Sequence, residues 1–324
     1  MDRPPNIRQE NNFDLLRLLF ALTILVVHGH ALSREPDLFG VATFLNGKFA
    51  LDGFFVISGF LVTMSYEHSK SLADYVGRRA SRLLPAYCFI VVSCFLAWMA
   101  VSGFAPSWGD LLIGSKYLLF NLAFLNFLQP TLPGLFEGNP ISAVNGALWT
   151  VKVEVMFYAA VPVMVWLVHK FGRAVALAGL YVLGLVYFNA LSHLASAAER
   201  PLFHELARQM PGQLPFFVAG MALYYYHSWF SERIRFLLPL AVLGLMTPSF
   251  LPLMPLYPAS LAILVVTAAL HLPRIVNLTA VGDLSFGIYG LHFPILQALV
   301  AAGAFAGDGF ALLSAGAALA ILSA

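Results

Sequence analysis

The chain has 324 residues, of which 60% are hydrophobic and 10% charged, with 28 Phe, 12 Tyr and 5 Trp. A soluble domain carries roughly 25% charged residues, so this composition excludes an ordinary water-soluble globular protein. Its net charge of +2, from 18 Lys and Arg against 16 Asp and Glu, leaves no overall imbalance to attract nucleic acid or an acidic substrate.

Apolar runs recur from end to end, and a bilayer core about 30 Å thick needs about 20 apolar residues per helical crossing. Runs at 13–32, 49–67, 83–103, 149–169, 174–191, 210–227, 236–250, 255–271, 281–304 and 310–324 meet or approach that length. The expected fold is all-α: a polytopic transmembrane helix bundle of about ten spans. The expected organisation is one membrane domain over 1–324 with no fused soluble domain. The first run carries Asp14 and Arg17 and is followed by further runs, so it reads as a permanent helix, not a cleaved signal. The stretch 107–128 holds Asp110, Lys116, Asn121 and Asn126 and leads into Pro130, Pro133 and Pro140; it is expected as a non-crossing or re-entrant helix on the outer side. With the N-terminus inside, eleven Lys and Arg fall in inner loops, among them Arg3, Arg8, Arg78, Arg79 and Arg82, against five in outer loops. The positive-inside rule then puts the N-terminus, and after an even number of crossings the C-terminus, in the cytoplasm. Cys88 and Cys94, six apart in one apolar run without His at ligand spacing, read as buried thiols, and no metal site is expected.

A charge near mid-bilayer costs about 3 kcal/mol or more, so ionisable residues inside the runs are functional candidates. They are Asp14, Arg17 and His28 on the first run, Asp52 on the second, Lys152 and Glu154 on the fourth, and Asp283 and His292 on the ninth. Arg17 and His28 are eleven residues apart. At roughly 100° per residue they share one helix face, about 16 Å apart along the axis. Asp14 lies one turn before Arg17 and can pair with it. Asp52, near the outer start of an antiparallel neighbour, falls at the depth of His28, where a carboxylate would fix the imidazole tautomer and raise its basicity. The structural reading of the same residues is an arginine snorkelling to the interface and a satisfied core histidine.

Ser58 and Gly59 are small residues in a bulky run and permit close approach by a neighbouring helix or a thin ligand. Arg78, Arg79 and Arg82 are three arginines in five positions; Arg78 and Arg82, one turn apart, form a fork suited to phosphate oxygens or to anionic lipid. The fourth run opens on Trp149, Lys152 and Glu154, with Tyr158 one turn below the carboxylate. Glu154 can take a hydrogen bond from a substrate hydroxyl or pair with a basic side chain. Ser285, Tyr289 and His292 share a face of the ninth run, just before a kink at Pro294, and suit interhelical hydrogen bonding. The outer loops 104–148 and 192–209 are expected to carry substrate selectivity, with Trp108, Phe136 and Asn145 available to stack on or hydrogen-bond a ligand.

Five segments in order carry a resemblance: Asn12-Phe13-Asp14-Leu15-Leu16-Arg17 with His28 completing an Arg-x10-His spacing; Leu51-Asp52-Gly53-Phe54-Phe55-Val56-Ile57-Ser58-Gly59-Phe60; Arg82-Leu83-Leu84-Pro85-Ala86-Tyr87; Leu148-Trp149-Thr150-Val151-Lys152-Val153-Glu154, continuing to Tyr158; and Gly282-Asp283-Leu284-Ser285 through His292-Phe293-Pro294. Over nearly its whole length the chain resembles the acyltransferase-3 family of integral-membrane acyltransferases, which includes O-acetylating enzymes of bacterial cell-surface polysaccharides. The resemblance implies a protein of the bacterial cytoplasmic membrane that takes acetyl-CoA or another acyl-CoA on the cytoplasmic side. Its acceptor would be a hydroxyl of a carbohydrate or glycolipid. It implies His28 as the catalytic base and Arg17 as support for donor binding or catalysis; Asp52 and Glu154, singled out by their depth in the apolar runs, are the further catalytic candidates. Arg78, Arg79 and Arg82 would meet the phosphates of coenzyme A, whose pantetheine arm would pass Ser58 and Gly59. The polar and aromatic residues Trp149, Lys152, Tyr158, Tyr289 and His292 are the candidates for binding the acceptor substrate. The chain departs from the family at Gly290, where many members carry a bulkier residue, and it stops before the serine- and glutamate-containing tail segment usual after the last helix. The rival reading is a proton-coupled multi-helix transporter, which predicts inverted repeats that this sequence lacks.

Overall fold

A computed structural model describes residues 11–103, 105–246, 255–276 and 284–323. Among them the chain forms thirteen α-helices, one single-turn 3-10 helix and no strand. In order they are α1 (Phe13–Ser33), the 3-10 turn (Pro36–Leu38), α2 (Phe39–Leu45), α3 (Gly47–Glu67), α4 (Leu72–Val101), α5 (Trp108–Leu122), α6 (Leu148–Phe171) and α7 (Arg173–Ala198). They continue with α8 (Pro201–Ala207), α9 (Met210–Tyr225), α10 (His227–Met246), α11 (Leu256–Leu270), α12 (Leu284–Ala301) and α13 (Gly309–Ser323). Each of the ten apolar runs corresponds to a helix.

Among the described residues, six helical stretches are long and apolar enough to cross a membrane: α1, Pro36–Glu67, α4, α6, α7 and α12. Helices α9 and α11 have 16 and 15 residues. At 1.5 Å per residue they reach about 22–24 Å, short of the hydrocarbon thickness. The twenty residues of α10 include Glu232, Arg233 and Arg235 in its N-terminal half, which lower its mean hydropathy. Helix α7 buries little of itself; Val175, Val182, Leu183 and Val186 stand exposed, as expected of a face turned to lipid.

Two helix starts are set by side-chain caps. The 15-residue α5 begins on a capping box in which Ser107 accepts from the Asp110 N–H and the Asp110 carboxylate accepts from the Ser107 N–H. At about 22 Å it fits the expected helix that stops short of a crossing. Helix α4 begins at Leu72, eleven residues before the apolar run, because Ser71 Oγ accepts from the Asp74 N–H at 3.1 Å while Asp74 Oδ2 accepts from the Lys70 N–H at 2.9 Å. Arg78, Arg79 and Arg82 therefore lie on a helix and not in a loop.

Prolines inside α6 and α12 each remove the N–H that would satisfy the carbonyl four residues earlier, which water cannot do inside a bilayer. Other side chains step in. Opposite Pro162, the Tyr75 hydroxyl donates to the Tyr158 carbonyl at 2.9 Å; opposite Pro294, Asn145 Nδ2 donates to the Gly290 carbonyl at 2.8 Å. Asn145→Leu should orphan the Gly290 carbonyl and cost about 2 kcal/mol. The expected reading is a lower melting temperature in detergent; a variant melting like the parent would show that the carbonyl finds another donor.

The described residues fall into two compact units. The first comprises those in Met1–Leu16, Leu51–Val76 and Val153–Asn277. In it α7 packs on α8 and α9, α9 on α11, and α11 on α10. Helices α3 and α9 approach so closely that a Cβ on Gly59 would stand 2.0 Å from the Phe217 carbonyl oxygen, and one on Gly220 would stand 2.2 Å from that of Val56. Beside that crossing, the Phe157 and Phe217 rings stack at 4.1 Å. Buried Asn12 closes the end of α11: its Nδ2 donates to the carbonyls of Leu272 (3.2 Å) and Pro273 (3.1 Å) and its Oδ1 accepts from the Ile275 N–H (3.1 Å).

The second unit comprises the described residues of Arg17–Ala50, Gly77–Lys152 and Leu278–Ala324. Here α12 packs on α13, and the 3-10 turn meets α13, where Asp37 Oδ2 accepts from the Gly309 N–H at 3.0 Å. The long segment between α5 and α6 is laced down. Trp98 Nε1 donates to the Pro133 carbonyl, and fully buried Gln297 donates to the carbonyls of Ile141 (2.6 Å) and Ala143 (2.7 Å) while accepting from Asn139 (2.6 Å).

Candidate active site

In the second unit, α1 and α12 bring His28 and His292 together. His28 Nδ1 lies 2.8 Å from His292 Nε2, and His292 Nδ1 lies 3.1 Å from the Ile288 carbonyl oxygen. His292 is fully buried, whereas His28 keeps part of its surface accessible. The Phe293 ring meets His28 edge-on at 5.1 Å, and Gly146 leaves the space that this ring fills, since a Cβ there would come within 2.7 Å of it. Arg17, on the His28 face of α1, is 8% exposed, deep burial for a cation in a membrane helix.

One turn before His292, the Tyr289 hydroxyl is 2.7 Å from Thr150 Oγ1. Thr150 spends its own proton on the Ala147 carbonyl at 2.9 Å, so Tyr289 is the donor. The polar face of the ninth run thus does serve interhelical hydrogen bonding. Lys152 sits over the Phe127 ring at 4.7 Å. On α4, Arg78 and Arg82 share a face; Arg78 and Arg79 are half-buried and Arg82 is exposed. Trp149 is half-buried at the start of α6.

The first unit holds a second polar set. Glu154 Oε1 accepts from the Tyr158 hydroxyl at 2.5 Å and from Ser58 Oγ at 3.3 Å, so both donors converge on one oxygen of the carboxylate. Asp52, 2% exposed, accepts a hydrogen bond from Tyr257 of α11. The space beside Gly59 is taken by the α9 backbone.

The structure thus gives His28 a histidine, not Asp52, as the partner it hydrogen-bonds through Nδ1, and Asp52 a tyrosine. Tyr257, Thr150 and Phe293 were missed as site residues, because only the packing of distant helices pairs them with Asp52, Tyr289 and His28. Asn145, expected to be free for a ligand, is buried with its Nδ2 on Gly290 and its Oδ1 accepting from the Ala147 N–H. Trp108 and Phe136 differ: Trp108 is 83% exposed and Phe136 half-buried. The vacancy of side chain at Gly290 is filled by Ile90 of α4, whose Cδ1 would be 2.1 Å from a Cβ there. Cys94 is buried and Cys88 half-buried, both as free thiols. Asp283, Arg3 and Arg8 lie outside the described residues. Among the described residues, no group of three His, Cys, Asp or Glu is arranged to hold a metal ion.

The sequence model of the acyltransferase-3 family, an acyltransferase domain, matches residues 10–324. The chain belongs to the acyltransferase-3 family. As a member it is an integral-membrane acyltransferase, which requires an acyl donor and an acceptor. It is 27% identical over 326 residues to nodulation protein 10 of Rhizobium leguminosarum bv. viciae, covering 90% of this chain and 84% of that protein. It is 29% identical over 251 residues to the O-acetyl transferase of Shigella phage Sf6, covering 71% and 67% respectively. An uncharacterized protein of Haemophilus influenzae is 29% identical over 202 residues, 57% of this chain and 77% of that one. No solved structure matches the chain.

Proposed function

We propose that this acyltransferase is an O-acetyltransferase of the bacterial cytoplasmic membrane. It moves an acetyl group from acetyl-CoA, bound at the cytoplasmic face, to a hydroxyl of a cell-envelope or exported carbohydrate. His28 is the general base. The observation that carries the proposal is the state of His28, a partly accessible histidine on a membrane helix with Nδ1 engaged by His292 and no hydrogen bond to Nε2 among the described residues. The phage relative's name, O-acetyl transferase, supports acetyl as the group and oxygen as its acceptor.

In this reading His28 Nε2 takes the proton of the acceptor hydroxyl as its oxygen attacks the thioester carbonyl, and returns it to the sulfur as the carbon–sulfur bond breaks. Buried Arg17, three turns away on the same helix face, supplies positive charge along the donor's path toward His28. Arg78 and Arg82 hold donor phosphates in a fork, with Arg79 beside them. Glu154, loaded on one oxygen by Tyr158 and Ser58, keeps its other oxygen as an acceptor within its own unit. Tyr289, Trp149 and Lys152 supply further acceptor contacts.

The test is acetyl-CoA binding to purified protein in detergent, parent against an Arg78→Ala/Arg82→Ala variant. Removing two phosphate-binding guanidiniums should weaken binding by at least about tenfold. Folded parent protein that binds no acetyl-CoA would overturn the donor assignment, and equal binding by the variant would move the phosphates elsewhere.

A further inference from the structure

We propose that His292 is a positioning residue that sets the tautomer of His28, so that the base always presents a bare Nε2. The inference rests on the reading of His28 as the base and adds what makes it one. It follows from counting protons. A carbonyl oxygen only accepts, so the 3.1 Å contact from His292 Nδ1 to the Ile288 oxygen puts a hydrogen on Nδ1. Neutral imidazole carries one N–H, which leaves His292 Nε2 as an acceptor. The 2.8 Å contact to His28 Nδ1 then requires the hydrogen to be on His28. Neutral His28 has thus spent its only N–H, and Nε2 is a lone pair.

Charge and geometry agree. A doubly protonated His292 would bury a cation with no accessible surface among Tyr289, Phe293 and His28, an arrangement that burial penalises heavily. The two rings lie within 7° of parallel with centroids 5.1 Å apart, which is the N···N distance plus a ring radius at each end. The bond therefore runs in the plane of both imidazoles and the rings are not stacked face to face. When Nε2 takes a proton, the Nδ1–H···Nε2 bond becomes charge-assisted and steadies the imidazolium. A neutral histidine here does the orienting work that a carboxylate does in other triads, without a second buried charge.

The test begins with nuclear magnetic resonance of histidine-labelled protein in lipid, the His28 signal being identified by its loss in His28→Gln. The expected parent carries its proton on Nδ1 of His28; a proton on Nε2 would overturn the proposal. In His292→Phe, which fills the ring's space without an acceptor, His28 should shift toward the Nε2–H form. Transfer of radiolabelled acetyl from acetyl-CoA to glycans in isolated bacterial membranes should fall at least about 100-fold in kcat, with KM for acetyl-CoA changed by less than about threefold. His292→Gln, whose Oε1 can accept from Nδ1–H, should stay within about tenfold of the parent. A folded His292→Phe that transfers at the parental rate would refute the positioning role. Retained transfer in His28→Ala would instead remove the base itself, whatever the tautomer.

Discussion

His28→Ala should lose at least about 100-fold in acetyl transfer, and up to about 10,000-fold, the range that a positioned general base contributes. Acetyl-CoA binding should be nearly unchanged, because the arginines assigned to the donor are on α4 and His28 is on α1. The contrast between the two readouts is diagnostic. Uniform loss of binding and transfer would mean that the histidine holds the fold or the donor, whereas retained transfer would end its role as base. His28→Gln separates size from chemistry: it restores volume and a hydrogen-bonding head but no titratable nitrogen, so it should remain inactive. The parental rate should also fall on acidification, since Nε2 acts only while unprotonated.

Gly59→Val should be the most damaging single change to the fold. The added side chain would begin 2.0 Å from the Phe217 carbonyl oxygen, and backbone cannot swing aside as the tip of a flexible side chain can. Overpacking of this kind costs about 3 kcal/mol or more when α3 and α9 must separate. Without a hydrophobic drive to associate helices in lipid, such close contacts supply much of the packing energy. The expected result is loss of monodisperse protein in detergent. Gly179→Ala on α7, where a Cβ meets nothing within 4 Å, should be harmless or slightly stabilising. Gly59→Val that melts like the parent would refute the crossing; if that variant also lost acetyl-CoA binding, Gly59 would instead line the donor's path.

Periodicity and length sufficed to find all ten principal helices, because a bilayer demands long apolar stretches whatever the tertiary arrangement. Polarity also singled out His28, Arg17, Glu154 and His292, since burying such groups in lipid is too costly to be incidental. The start of α4 was misplaced because its first turns are charged, although Ser71 and Asp74 form a legible cap. Among the described residues six helical stretches are long and apolar enough to cross, against about ten expected, because hydropathy marks apolar residues while the C-caps at Tyr226 and His271 close α9 and α11 after 16 and 15 residues.

Pairing was beyond the sequence. Depth and helix direction pointed His28 toward Asp52, yet they say nothing of rotation about each axis or of which distant helix comes alongside. The histidine pair joins residues 264 positions apart, and Tyr257 reaches Asp52 from across the chain. Helix α12 comes alongside α1 only in the folded protein, and that packing alone brings two histidines from opposite ends of the chain to 2.8 Å of each other.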